Sequence, residues 1–214
     1  MDFNHLRYLA LGDSLTVGIG VLFLDPGFVE YYRSLSQQIL KKHISYQKYA
    51  RSGATTEDVL AMLDTPIVME AVNCANIITI TAGGDDLINA AKGYLINKNE
   101  KSISQAIKQS GNNISKILKK IHQLDKQDKY ILRLQNLYNP FIDIPIADEA
   151  IRAFNSLINS FGQELNVKVA DIYSVFKGNE KFLLSPGGIH PNSRGYYQMA
   201  LALSRLGYSP FRGD

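Results

Sequence analysis

Only one cysteine, Cys74, occurs in the 214 residues, so no intramolecular disulfide can form and none of the multi-cysteine zinc patterns is available. The fold must therefore be held by its core. Long hydrophobic runs are missing too: no stretch reaches the roughly eighteen apolar residues of a membrane-spanning helix. The amino terminus offers only a short apolar run at residues 8–11, with no small-residue cleavage site behind a longer hydrophobic stretch. It does not read as a secretory signal, and a cytoplasmic protein is the simplest expectation. An excess of one charge is likewise lacking. With 23 Lys and Arg against 20 Asp and Glu, the net charge of +3 falls short of the clustered basic surface of a nucleic-acid binder. What is present is globular composition, 45% hydrophobic and 20% charged, in a chain sized for a single domain spanning 1–214.

Short apolar segments at residues 6–11, 44–49, 76–82, 130–135 and 167–171 read as strands. Between and after them, amphipathic stretches at 29–42, 55–63, 102–124, 147–165 and 193–206 read as helices. Helix-length connections between strands require crossovers, which implies a parallel sheet covered on both faces: a three-layer α/β sandwich with five strands. In the long candidate helix, Ile103, Ile107, Ile114, Ile117, Leu118 and Ile121 form one stripe. Lys108, Lys116, Lys119 and Lys120 lie on other faces, where solvated lysines are a simpler reading than a lipid or RNA contact. Gly111-Asn112-Asn113 is a candidate break in that helix, and residues 92–100 and 136–145 are the expected irregular insertions.

Parallel sheets bind ligands at the carboxyl ends of their strands, so the loops there carry the chemistry. The first strand ends in Gly12-Asp13-Ser14-Leu15, which places Ser14 either as a nucleophile or as a helix cap. No Gly-Lys-Ser/Thr follows Gly12, and Gly18-Ile19-Gly20 lacks the third glycine of a dinucleotide fold. The second strand leads to Gly53 ahead of Thr55-Thr56-Glu57, a helix start. The third feeds Gly83-Gly84-Asp85-Asp86, a turn that aims two carboxylates at the same edge. Near the carboxyl terminus, residues 185–192 form a rigid loop containing His190. A serine nucleophile needs a base, and a neutral imidazole is the usual one. His5, His43 and His122 stand at element edges or on a helix, and no two histidines have the spacing of a metal pair, so no metal is expected.

Taken in order, Gly12-Asp13-Ser14-Leu15, Gly53, the turn at 83–86 and His190-Pro191-Asn192 resemble the SGNH or GDSL hydrolases across nearly the whole chain. The sequence is most similar to the bacterial lipase/acylhydrolase branch, to which the segments 136–141 and 170–173 are also similar. The resemblance implies a flavodoxin-like fold, Ser14 as nucleophile and His190 as base. It further implies an oxyanion hole from the Ser14 and Gly53 N–H groups with the side chain of Asp85, and no cofactor. Its substrates are small-molecule esters: lipids, acetylated sugars, thioesters and lysophospholipids. Some members of this branch act in spores. The apolar stretch 21–28, including Phe23, together with Tyr138 and Phe141, is a candidate acyl pocket, although core packing would explain these residues equally well.

Two positions depart from the family pattern. Gly187 stands where an Asp usually orients the histidine, and Asp85 stands where an Asn donates to the oxyanion. A backbone carbonyl near Ser185 or Pro186, or Asp171 at the end of the fifth strand, is the candidate orienter in place of that Asp. An ionised Asp85 accepts hydrogen bonds and cannot donate them; alternatively it pairs with the His190 imidazolium. These departures motivate a second expectation, a catalytically impaired SGNH domain that binds carbohydrate or lipid. A third, a flavodoxin-like flavin or nucleotide binder, has the fold but no phosphate-binding sequence.

Overall fold

A computed structural model of the protein describes residues 5–22, 24–97, 101–126 and 128–212. Five strands, β1 (His5–Gly12), β2 (His43–Ala50), β3 (Ile77–Thr81), β4 (Ile131–Gln135) and β5 (Val167–Ala170), form one parallel sheet in the order β2-β1-β3-β4-β5. The order reverses at β1, so the crevice between β1 and β3 lies above the carboxyl end of the strand that carries Ser14. β3 and β4 are buried at every residue, as a sheet covered on both faces requires.

One face packs under α3 (Thr56–Met62), α4 (Pro66–Cys74), α5 (Gly84–Asn97), α6 (Lys101–His122) and α7 (Pro145–Ser160). Its core joins Leu9, Leu11, Ile78 and Ile80 to Ile114, Ile117 and Ile121 of α6 and Phe154 of α7. The other face packs under α2 (Phe28–Leu40), α8 (Ile172–Phe176) and α10 (Ser193–Ser204), through Tyr8, Phe28, Tyr32, Tyr196 and Met199. Short helices α1 (Ser14–Val17) and α9 (Glu180–Leu183) complete the set among the described residues. Lys108, Lys116 and Lys119 are exposed beside the buried stripe of α6, as solvated side chains should be.

The helices differ from expectation in three places. α6 runs unbroken through Gly111-Asn112-Asn113: Gly111 admits Leu157 of α7 so closely that an added Cβ would sit 2.3 Å from its Cδ2, and close helix packing is what the glycine serves. The stretch expected to be irregular at 92–100 is helical to Asn97, with 98–100 outside the described residues. α4 and α5 are helices that the sequence pattern does not announce. Pro66 at the first position of α4 suits a helix start, but the segment is too short for an unambiguous period.

Candidate active site

The turn that carries Ser14 is positioned by a short polar network rooted in the sheet. Asp13 caps α1, accepting from the Leu15 N–H at 3.0 Å and from the Thr81 hydroxyl of β3 at 2.8 Å. Burial pushes its carboxyl up to about 6, against the pull of those two donors. Capping therefore falls to Asp13, leaving the hydroxyl of Ser14 for another partner. That partner is His190, whose Nε2 lies 2.9 Å from Ser14 Oγ across 176 residues of sequence. The short loop after β2 brings Gly53 to the same edge. Among the described residues, neither the Ser14 nor the Gly53 main-chain N–H has a hydrogen-bond acceptor.

The two carboxylates of the 83–86 turn part ways. Asp86 turns inward and accepts from the Thr56 N–H and hydroxyl, at 2.8 and 2.7 Å, and from the Ser110 hydroxyl at 3.0 Å. It braces the start of α3, just beyond Gly53, against α5 and α6. Asp85 stays half-buried by the crevice. Burial, reinforced by the charge of Asp86, raises its pKa, whereas His190 opposes the shift. The two are not in salt-bridge contact, so the expected direct ion pair between Asp85 and His190 does not form; they interact through space. Burial lowers the His190 pKa, and Asp85 opposes that shift, so His190 favours the neutral form a base requires.

The imidazole is held through its main chain. The His190 carbonyl accepts from the Ser185 N–H at 2.8 Å and the Ser185 hydroxyl at 3.0 Å, and Leu184 bridges Pro191. Tyr138, stacked on Phe176, donates its hydroxyl to the neighbouring Ile189 carbonyl at 2.6 Å. Gly20 closes the other side: at φ +108, an added Cβ would meet the Pro191 carbonyl at 2.5 Å and His190 Cβ at 2.9 Å. Among the described residues, His190 Nδ1 has no hydrogen-bond partner. Gly187 takes φ +110 and Gly188 φ +73, so a left-handed glycine turn occupies the place of the usual Asp.

Other candidates fall elsewhere. The Asp171 carboxylate is taken up by Ser174, through its N–H and hydroxyl, and by Asn136 Nδ2, making it the cap of α8 instead of an orienter of His190. Tyr138 is buried as packing and as a brace for the histidine loop, a role that only the long-range contact reveals. Phe141 is half-buried, and Phe23 lies outside the described residues. Sequence reasoning missed Thr81, whose hydroxyl links Asp13 and Thr16; alternation along a strand gave no reason to single it out.

Residues 10–198 match the family described as GDSL-like lipase/acylhydrolase. The chain belongs to that family. This GDSL-family protein is 41% identical to the spore germination lipase LipC of Bacillus licheniformis, over 97% of this chain and 99% of the relative. Among solved structures it is similar to the lipase Lip_vut3 from a goat rumen metagenome: 41% identity, TM-score 0.92, covering 97% of this chain and 100% of that one. An acetylxylan esterase from Geobacillus stearothermophilus shares the fold at 16% identity and TM-score 0.71, covering 96% and 95%. The GDSL-family protein is accordingly a carboxylic ester hydrolase of the lipase/esterase type. Among its described residues, no helix is long and apolar enough to cross a membrane.

Proposed function

We propose that this hydrolase works through an acyl-enzyme on Ser14, with His190 as its general base and no carboxylate behind the histidine. The observation that carries the reading is the 2.9 Å contact between Ser14 Oγ and His190 Nε2. Ser14 Oγ attacks the ester carbonyl carbon and its proton passes to His190 Nε2. The tetrahedral oxyanion takes hydrogen bonds from the unengaged N–H groups of Ser14 and Gly53. Collapse expels the alcohol, which leaves with the proton held by His190. Water then attacks the acyl-enzyme with His190 again as base, releasing the acid and restoring Ser14. Lipid esters come first as substrates because both 41% relatives are named lipases.

Asp85 supplies the third donor to the oxyanion only while protonated, and its raised pKa extends the range over which it can do so. Hydrolysis of a p-nitrophenyl ester series by the protein and by Ser14→Ala, across pH 5 to 9, tests the assignment. Turnover falling to the buffer rate in the variant is the expected result. Equal rates in the two proteins would favour the second reading, a binding module of the same fold, for which the unpartnered Nδ1 of His190 is the supporting observation.

A further inference from the structure

Exposed aliphatic side chains recur in the segments that border the catalytic crevice. Leu22 and Leu24, in the loop between α1 and α2, are 77% and 90% exposed. Ile142, Ile144 and Ile146, where the chain passes from β4 into α7, are 44–51% exposed, and Ile189, the neighbour of His190, is 41% exposed. All three segments lie at the carboxyl edge of the sheet, the edge that carries Ser14.

The segments are linked around the crevice: Tyr138, ahead of Ile142, donates to the Ile189 carbonyl, Gly20 lies against the histidine loop, and Tyr196, on the helix that follows that loop, donates to the Ile19 carbonyl at 2.6 Å. An apolar patch of this kind on a folded chain marks an interaction site. The charges are equally one-sided. Residues 18–25, 139–147 and 185–192 contain no Lys or Arg, and Asp25 and Asp143 directly follow Leu24 and Ile142. The cations that other elements bring to this edge are ion-paired, Lys48 with Glu30 and Arg51 with Asp58, so neither offers a free positive charge to the rim.

We propose that the rim is a docking surface for an uncharged or zwitterionic lipid layer, seating the crevice on the interface from which it draws its ester. The inference rests on the ester-hydrolase reading of that crevice. A second copy of the chain on this rim would cover Ser14 and His190, whereas a lipid layer delivers substrate to them. Aliphatic side chains enter the acyl boundary, and the two aspartates disfavour an anionic one.

Sedimentation with phosphatidylcholine vesicles tests this, using Ser14→Ala protein so that catalysis plays no part. The expected result is binding that weakens at least tenfold when Leu24→Glu and Ile144→Glu are added. Binding should also weaken when phosphatidylglycerol is mixed into the vesicles. Leu165→Glu, an equally drastic change at a 76% exposed leucine at the opposite edge of the sheet, should bind as the Ser14→Ala protein does. Absence of vesicle binding, binding unchanged by the paired substitutions, or a preference for anionic vesicles would each overturn the proposal. So would a dimer in size-exclusion chromatography that the paired substitutions dissociate, since the rim would then be a contact between copies. None of these outcomes bears on whether Ser14 is acylated.

Discussion

Replacing His190 with alanine is expected to lower kcat/KM for a p-nitrophenyl ester by roughly 10³- to 10⁴-fold, or about 4–5.5 kcal/mol of transition-state stabilisation. The same substitution in a Ser14→Ala background is expected to cost almost nothing further. Nucleophile and base act as one unit, and a hydroxyl without a base is nearly as inert as no hydroxyl. The 2.9 Å contact makes the pair direct, with no intermediary group to take over. Multiplicative losses in the double variant would mean that the two side chains act independently, which an acyl-enzyme built on this pair does not allow. His190 is only half-buried, so the thermal midpoint should barely move, separating lost chemistry from lost fold.

Asp85→Asn is expected to raise kcat/KM at pH 8 by about tenfold or more, toward the 10²- to 10³-fold worth of a full oxyanion donor. The sign follows from two groups with opposed demands. His190 must be neutral, so activity rises with pH through a pKa that burial has lowered below the usual imidazole value. Asp85 must be protonated, so activity falls with pH through a pKa that burial and Asp86 have raised above the usual carboxylate value. In the parent, these limbs bound the active form on both the acid and the alkaline side. An asparagine donates at every pH, which removes the alkaline limb. Substitution also removes the negative charge that opposes the shift of His190, so the acid limb should move to lower pH. A pH–rate profile with unchanged limbs and an unchanged or lower rate at pH 8 would place Asp85 outside the oxyanion hole.

The sheet was legible in the sequence because helices cover both of its faces, leaving compact apolar runs such as Ile77–Thr81. α5 was not, since Gly84-Asp85-Asp86 reads as a turn and its later residues have no sustained stripe. Nor was the continuity of α6: Gly111 weakens a helix locally, and only the docking of Leu157 shows why it is there. At the site, Ser14 and His190 stood out because residue type and loop position coincide. The division of labour between Asp85 and Asp86 did not, because adjacent carboxylates are told apart only by what each meets, and Thr56 and Ser110 come from distant helices. The brace from Tyr138 to Ile189 was hidden for the same reason, spanning 51 residues of sequence.

A mechanism through Ser14 requires one covalent bond, the ester of the acyl-enzyme. Protein mixed with a p-nitrophenyl ester, quenched in acid during turnover and digested for mass spectrometry, should carry the acyl mass on the peptide containing Ser14 and on no other. His190→Ala protein should carry little or none at the same time point. Turnover without any acylated peptide, or an acyl group on a different residue, would contradict a mechanism that runs through Ser14.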